Sequence, residues 1–132
     1  MSETNELPTV GAIAWADLTV ADAPAVRDFY AAVCGWTSTE VAMGDYADYA
    51  MAPEGGDPVS GICHARGDNA GLPAQWILYV TVENLDRSVA ECAARGGALV
   101  MPVRDMGDYG RMAVVRDPAG AVLAIMQRPS AG

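Results

Sequence analysis

Residues 11–36 read GAIAWADLTVADAPAVRDFYAAVCGW, and residues 76–97 read WILYVTVENLDRSVAECAARGG. Both stretches follow one plan. Gly11 to Val20 is apolar and partly alternating, which predicts a strand. Asp22 suits a helix N-cap, Ala25, Val26, Phe29, Tyr30 and Val33 are spaced as one helical face, and Gly35 supplies the stop. In the second stretch, Trp76 to Val82 is the strand and Asn84 the cap. Leu85, Val89, Cys92 and Ala93 form the apolar face, and Gly96-Gly97 ends the helix.

A shift of 62 residues superposes the two. Thr19-Val20 falls on Thr81-Val82, Asp22 on Asn84, Ala31-Ala32 on Ala93-Ala94, and Gly35 on Gly97. Downstream the offset becomes 63. Met43-Gly44-Asp45-Tyr46 recurs as Met106-Gly107-Asp108-Tyr109, and Gly61-Ile62 meets Ala124-Ile125. A single one-residue loop insertion would leave this change of offset. Each half continues as short apolar strands broken by turn signals, Glu54-Gly55-Gly56-Asp57-Pro58 in one and Asp117-Pro118-Ala119-Gly120 in the other. The expected organisation is therefore α+β, a single domain over residues 9–128. It is made of two tandem βαβββ units, 10–66 and 74–127, joined by a linker at 67–73. Placed side by side, the units would form a curved mixed sheet with helices outside and a concave cup inside.

Composition narrows the chemistry. The chain has 132 residues, 52% apolar and 19% charged, with mean hydropathy +0.14, as a compact folded protein has. Net charge is −9 and all eight cations are arginines. Without lysine there is no Schiff base, pyridoxal anchor or Walker-type phosphate loop. One histidine, His64, excludes a metal site built from several histidines of one chain. An acidic chain without a basic stripe is poorly suited to nucleic acid or a membrane surface. Three cysteines without a CxxC pair, no long apolar run and a polar, acidic N-terminus point to a cytoplasmic protein with reduced thiols. The weight of alanine and arginine over lysine points to a GC-rich bacterial coding sequence.

The repeat, the Phe29-Tyr30 to Gly35-Trp36 ending of the first helix, Gly110-Arg111 before a strand, and Asp117-Pro118-x-Gly120 before the last strand resemble the vicinal oxygen chelate superfamily. That superfamily includes glyoxalase I, the bleomycin resistance proteins and the extradiol dioxygenases. The resemblance covers about residues 9–128 and implies the fold more firmly than any one chemistry. Metal-dependent members carry carboxylate, histidine or glutamine ligands on the cup face. Seven residues before Asp22 the first such position is Trp15, and seven after Asp117 the last is Ala124. The repeat offsets carry these to Ile77 and Gly61. None of the four side chains can donate to a metal, so the resemblance implies the family's fold without its metal, and no cofactor is expected.

Strand alternation picks the cup lining: Trp15, Asp17 and Thr19 on the first strand, Ile77, Tyr79 and Thr81 on its repeat, Gly61 and Cys63, and Ala124 between Val122 and Met126. Such a cup suits a small apolar or aromatic molecule, unless Trp15 simply plugs it. Asp17 is the one acid placed inside, and is either a catalytic base or a structural group, paired with Arg111 or bonded to a neighbouring strand. Tyr46 and Tyr109 would stand near the rim with Arg111 as further ligand contacts. Alternation turns His64 away, toward the helices or solvent. Three functions follow: metal-independent small-molecule binding by a homodimer; a metal-free isomerase or lyase using Asp17 with a tyrosine; or a glyoxalase- or dioxygenase-like metal enzyme whose ligands lie in another register.

Overall fold

A computed structural model describes residues 9–129. The chain runs β1 (Ile13–Val20), α1 (Ala23–Cys34), β2 (Thr37–Ala42), β3 (Ala47–Ala52), β4 (Ser60–His64), then β5 (Trp76–Thr81), α2 (Leu85–Ala94), β6 (Ala98–Asp105), β7 (Arg111–Arg116) and β8 (Val122–Gln127). This is the expected α+β pattern, βαβββ given twice.

The helices begin and end where their caps require. The Asp22 carboxylate accepts the Ala25 N–H at 3.1 Å, and Asn84 accepts the Arg87 N–H at 3.0 Å. Gly35, at φ +74°, turns the chain out of α1 while its N–H bonds Ala31 O. The apolar stripe of α1 is only partly used. Ala23, Val26 and Tyr30 pack on the sheet, whereas Phe29 and Val33 stand 56% and 63% exposed. The line that meets the strands is one residue wide, and Phe29 and Val33 lie beyond its edge.

By compactness the chain divides into one unit of Trp15–Ile77 and a second of residues 9–14 with 78–129. The division differs from the boundaries expected from the repeat: residues 10–14 go with the second unit, and 67–77 with the first. The start of β5 stays with the first unit because Trp76 packs edge-on to Tyr30 and Trp36, at 5.2 and 5.8 Å between ring centroids, and donates its indole N–H to the Tyr30 hydroxyl at 3.1 Å. These contacts explain why the first helix ends on Phe-Tyr and Gly-Trp: Tyr30 and Trp36 close an aromatic corner that neither could form alone.

In the first unit β4 lies between β1, parallel, and β3, antiparallel, and β2 borders β3. Ala23, Tyr49, Met51 and Ile62 form the core under α1. In the second unit β8 lies between β5, parallel, and β7, antiparallel, with β6 beyond. Leu85, Ala113, Val115 and Ile125 form the core under α2. On the strands of each unit the alternate residues face away from the helix, here termed the open face.

Register tests the repeat. Asp17 sits opposite Gly61, and Tyr79 opposite Ala124, so offsets of 62 and 63 hold on the inner strand pair of each unit. The third strands do not obey a single insertion. Ala50 opposes Gly61 while Val114 opposes Ala124, an offset of 114 − 50 = 64. Two extra residues enter ahead of β7, where β6 carries register shifts and residues Gly107–Tyr109 form a 3-10 turn, and one is then lost in the Asp117–Gly120 turn.

Candidate functional site

On the open face of the first unit, Trp15, Asp17 and Thr19 alternate along β1 beside Gly61 and Cys63 of β4. The indole N–H of Trp15 donates to the Asp17 carboxylate at 2.6 Å, a short charge-assisted bond that fixes both side chains. Opposite them, Gly61 is what lets the carboxylate lie flat. A Cβ there would collide with Asp17 Oδ1 and stand 3.5 Å from Trp15 Nε1. The Asp17 carboxylate thus occupies the space a side chain at position 61 would need. Trp15 and Asp17 are both half-buried, so Trp15 is not sealed into a core.

Cys63 lies between carboxylates. Burial, then the charge of Asp17, then that of Asp48 with a hydrogen bond to it, push the Cys63 thiol far above its ordinary range. It is a neutral S–H donor, not a nucleophile. Asp48, 8% exposed, went unread in the sequence. The only signal was a carboxylate at an open-face position of the otherwise apolar run ADYAMA. Its Oδ1 accepts the backbone N–H of His64 at 2.9 Å and lies 3.3 Å from His64 Nδ1. The His64 ring stands at the end of β4, its centroid 5.3 Å from Tyr46 and 6.2 Å from Tyr49. Tyr46 is covered by the Arg66 guanidinium at 3.9 Å.

The open face of the second unit is different in kind. Tyr79 is half-buried opposite Ala124, and Val114, Met112 and Met126 complete an apolar surface. Thr81 belongs to this face, opposite Met126, and its buried hydroxyl has no hydrogen-bond partner among the described residues. Ile77 is 3% exposed and Ala124 fully buried.

Two expected contacts fall elsewhere. Arg111 begins β7 on the same face as Ala113 and Val115, the helix-covered side, and its guanidinium meets Asp86 at 2.8 Å. That bond holds the Asp86 carboxyl below its usual range and raises Arg111. Arg111 is therefore a brace between strand and helix and not an open-face ligand contact. The correction has a simple origin: Arg111 shares parity with the core residues of β7, and a glycine-arginine motif carries no information on facing. Tyr109, the repeat partner of Tyr46, is 74% exposed in its 3-10 turn, whereas Tyr46 packs between His64 and Arg66. The four-residue repeat kept its sequence and not its surroundings.

The side chains at the four positions that the resemblance assigns to metal donors do not fit a divalent metal. The four positions that would supply donors hold an indole, a bare Cα, a sec-butyl and a methyl group. No three His, Cys, Asp or Glu side chains gather as a metal-holding group among the described residues. No helix there is long and apolar enough to cross a membrane.

Comparison with known proteins agrees with this fold. CFP32 of Mycobacterium tuberculosis, a candidate glyoxylase, is 34% identical over 115 residues, covering 86% of this chain and 44% of that protein. The anthracycline biosynthesis protein DnrV of Streptomyces peucetius is 32% identical over 130 residues, covering 89% of this chain and 47% of its own. The chain thus spans about half the length of these relatives. Among solved structures, methylmalonyl-CoA epimerase from M. tuberculosis superposes with a TM-score of 0.56 at 17% identity, over 96% of this chain and 95% of that one. With residues 12–125 matching the profile of the Glyoxalase/Bleomycin resistance protein/Dioxygenase superfamily, the chain belongs to that superfamily.

Proposed function

We propose that this protein is a metal-independent binder of small apolar or aromatic molecules. The observation that carries the reading is the first unit's open face. A metal-ligand position is a glycine there, and the space above it is filled by a carboxylate tied to a tryptophan indole. A ring edge can lie against Trp15 while a ligand hydroxyl or amide bonds Asp17 or the Cys63 thiol. Taken by itself, the second unit's open face is lined by methionine and tyrosine, side chains that adapt to an apolar ligand. Likeness to a relative named for anthracycline biosynthesis favours a flat polycyclic ligand over a small aliphatic one. The working form under this reading is a homodimer of about twice 13.7 kDa, which pairs the exposed strand edges of two copies.

The test is Trp15→Ala, titrated against a panel of fused-ring aromatics by fluorescence and calorimetry, alongside thermal melts. Because Trp15 is only half-buried, the variant loses binding at a modest stability cost. A cost on the order of 3–5 kcal/mol, with no ligand found for the parent protein, would identify a core plug instead.

A further inference from the structure

Asp48 and His64 have no part in the binding face just proposed beyond the hydrogen bond from Cys63, yet they are arranged as a proton-transfer pair. Asp48 is almost fully buried and grips residue 64 twice, through its backbone N–H at 2.9 Å and through Nδ1 at 3.3 Å. A carboxylate accepts and cannot donate, so the Nδ1 beside it carries the imidazole's proton. In the neutral ring this leaves Nε2 as a bare acceptor. The other groups around the ring are the right ones for such a base. Tyr49 from β3 and Tyr46 from the preceding turn flank it, Arg66 lies over Tyr46, and Arg27 of α1 lies over Tyr49 at 4.6 Å. On the strand side Val20 of β1 runs in register with His64, and the Cys63 thiol, neutral, bonds Asp48. The His64 side chain is 19% exposed, and that of Arg66 is 49%. Arg66 stacks on Tyr46 next to His64, and its exposed 3.8 Å contact to Asp45 is worth little, so its charge is available to an anion at the ring.

We propose that Asp48 and His64 form a proton-accepting dyad for a weak aromatic oxygen acid, a phenol. The phenol O–H bond breaks as an N–H bond forms at Nε2. The resulting imidazolium is stabilised by Asp48 and the phenolate by Arg66. The proton returns by the same path on release, and no oxidant or metal enters the step. The site does not depend on Trp15, so its failure and that of the binding reading are separable.

The chain's single histidine makes the test unambiguous. Long-range proton–nitrogen NMR of the parent protein will show the neutral ring protonated at Nδ1, and Asp48→Ala, which removes the acceptor, will abolish that preference. With p-nitrophenol as probe, added protein will raise the visible phenolate absorption saturably at a pH below the probe's own midpoint. His64→Gln and Asp48→Asn will lose that rise, with melts showing both variants folded. A neutral ring protonated at Nε2 in the parent protein overturns the dyad, and needs no variant to fold. An absent phenolate signal, or one that survives in His64→Gln, overturns the phenol as its substrate class.

Discussion

Gly61→Ala puts the first unit's open face to a quantitative test. In a β-strand, replacing glycine by alanine ordinarily gains roughly 0.5–1 kcal/mol, because the unfolded chain loses freedom. Here the added Cβ falls on Asp17 Oδ1, with Trp15 Nε1 3.5 Å away. Asp17 and Gly61 face each other in register across β1 and β4, so neither backbone can retreat without breaking the ladder. The carboxylate must swing off, and the 2.6 Å bond from the Trp15 indole goes with it. A hydrogen bond to a charged group is worth about 1.5–3 kcal/mol, and overpacking costs about 1–3 kcal/mol. The losses outweigh the gain, for a net destabilisation of about 2–4 kcal/mol. In a domain of this size that lowers Tm on the order of 10 °C. Urea unfolding of the parent, Gly61→Ala, Asp17→Ala and the double variant measures both the cost and its cause. If the collision is responsible, Gly61→Ala is neutral to slightly stabilising once Asp17 is alanine. An equal cost in the two backgrounds, or a Gly61→Ala protein as stable as the parent, would refute the reasoning.

The thiols should separate cleanly. Cys34 is exposed, while Cys63 is held protonated by burial and two carboxylates, so iodoacetamide at mildly alkaline pH labels Cys34 and leaves Cys63 unmodified, as fragment-ion mass spectrometry of the tryptic peptide 28–66, which carries both, will show. Asp86 supplies a pH dependence. Its folded-state pKa is lowered by Arg111, so the stability it lends is present above the unfolded carboxylate value and is lost as pH falls through the folded one. Arg111→Ala will therefore differ most from the parent in urea unfolding near neutral pH, and the difference will shrink below roughly pH 4.

Much of this fold was legible because local chemistry decided it. Asp22 and Asn84 cap as read, and Gly35 ends α1. Alternation put Trp15, Asp17, Gly61 and Cys63 on one face of the first unit's strands, and Tyr79, Thr81 and Ala124 on one face of the second unit's. What was not legible depends on distance along the chain. The extra residues ahead of β7 are hidden by the recurrence of Met-Gly-Asp-Tyr, which suggests an equivalence that only the third strands' register corrects. Arg111 was misplaced because a residue at the first position of a strand shows no alternation before it. Asp48 escaped because its partner lies 16 residues on, and nothing in ADYAMA says that a buried acid there has an imidazole to hold.

The same contacts bear on whether this chain stands one substitution from a metal enzyme. In the first unit, a ligand side chain at position 61 and the carboxylate of Asp17 exclude each other, since both claim the volume above the Gly61 Cα. Moving Asp17 aside frees the Trp15 indole N–H, which at position 15 occupies the other ligand place and is a donor, unable to bind a cation. Three residues would have to change together in that unit alone. In the second, Ala124 is fully buried between β5 and β7, opposite Tyr79 and Val114, so a carboxylate there must displace one of them or be buried without a partner. Each intermediate on that path carries either a collision or an uncompensated charge. Trp15, Asp17 and Gly61 are thus one mutually dependent arrangement, and the first unit's open face is built around it.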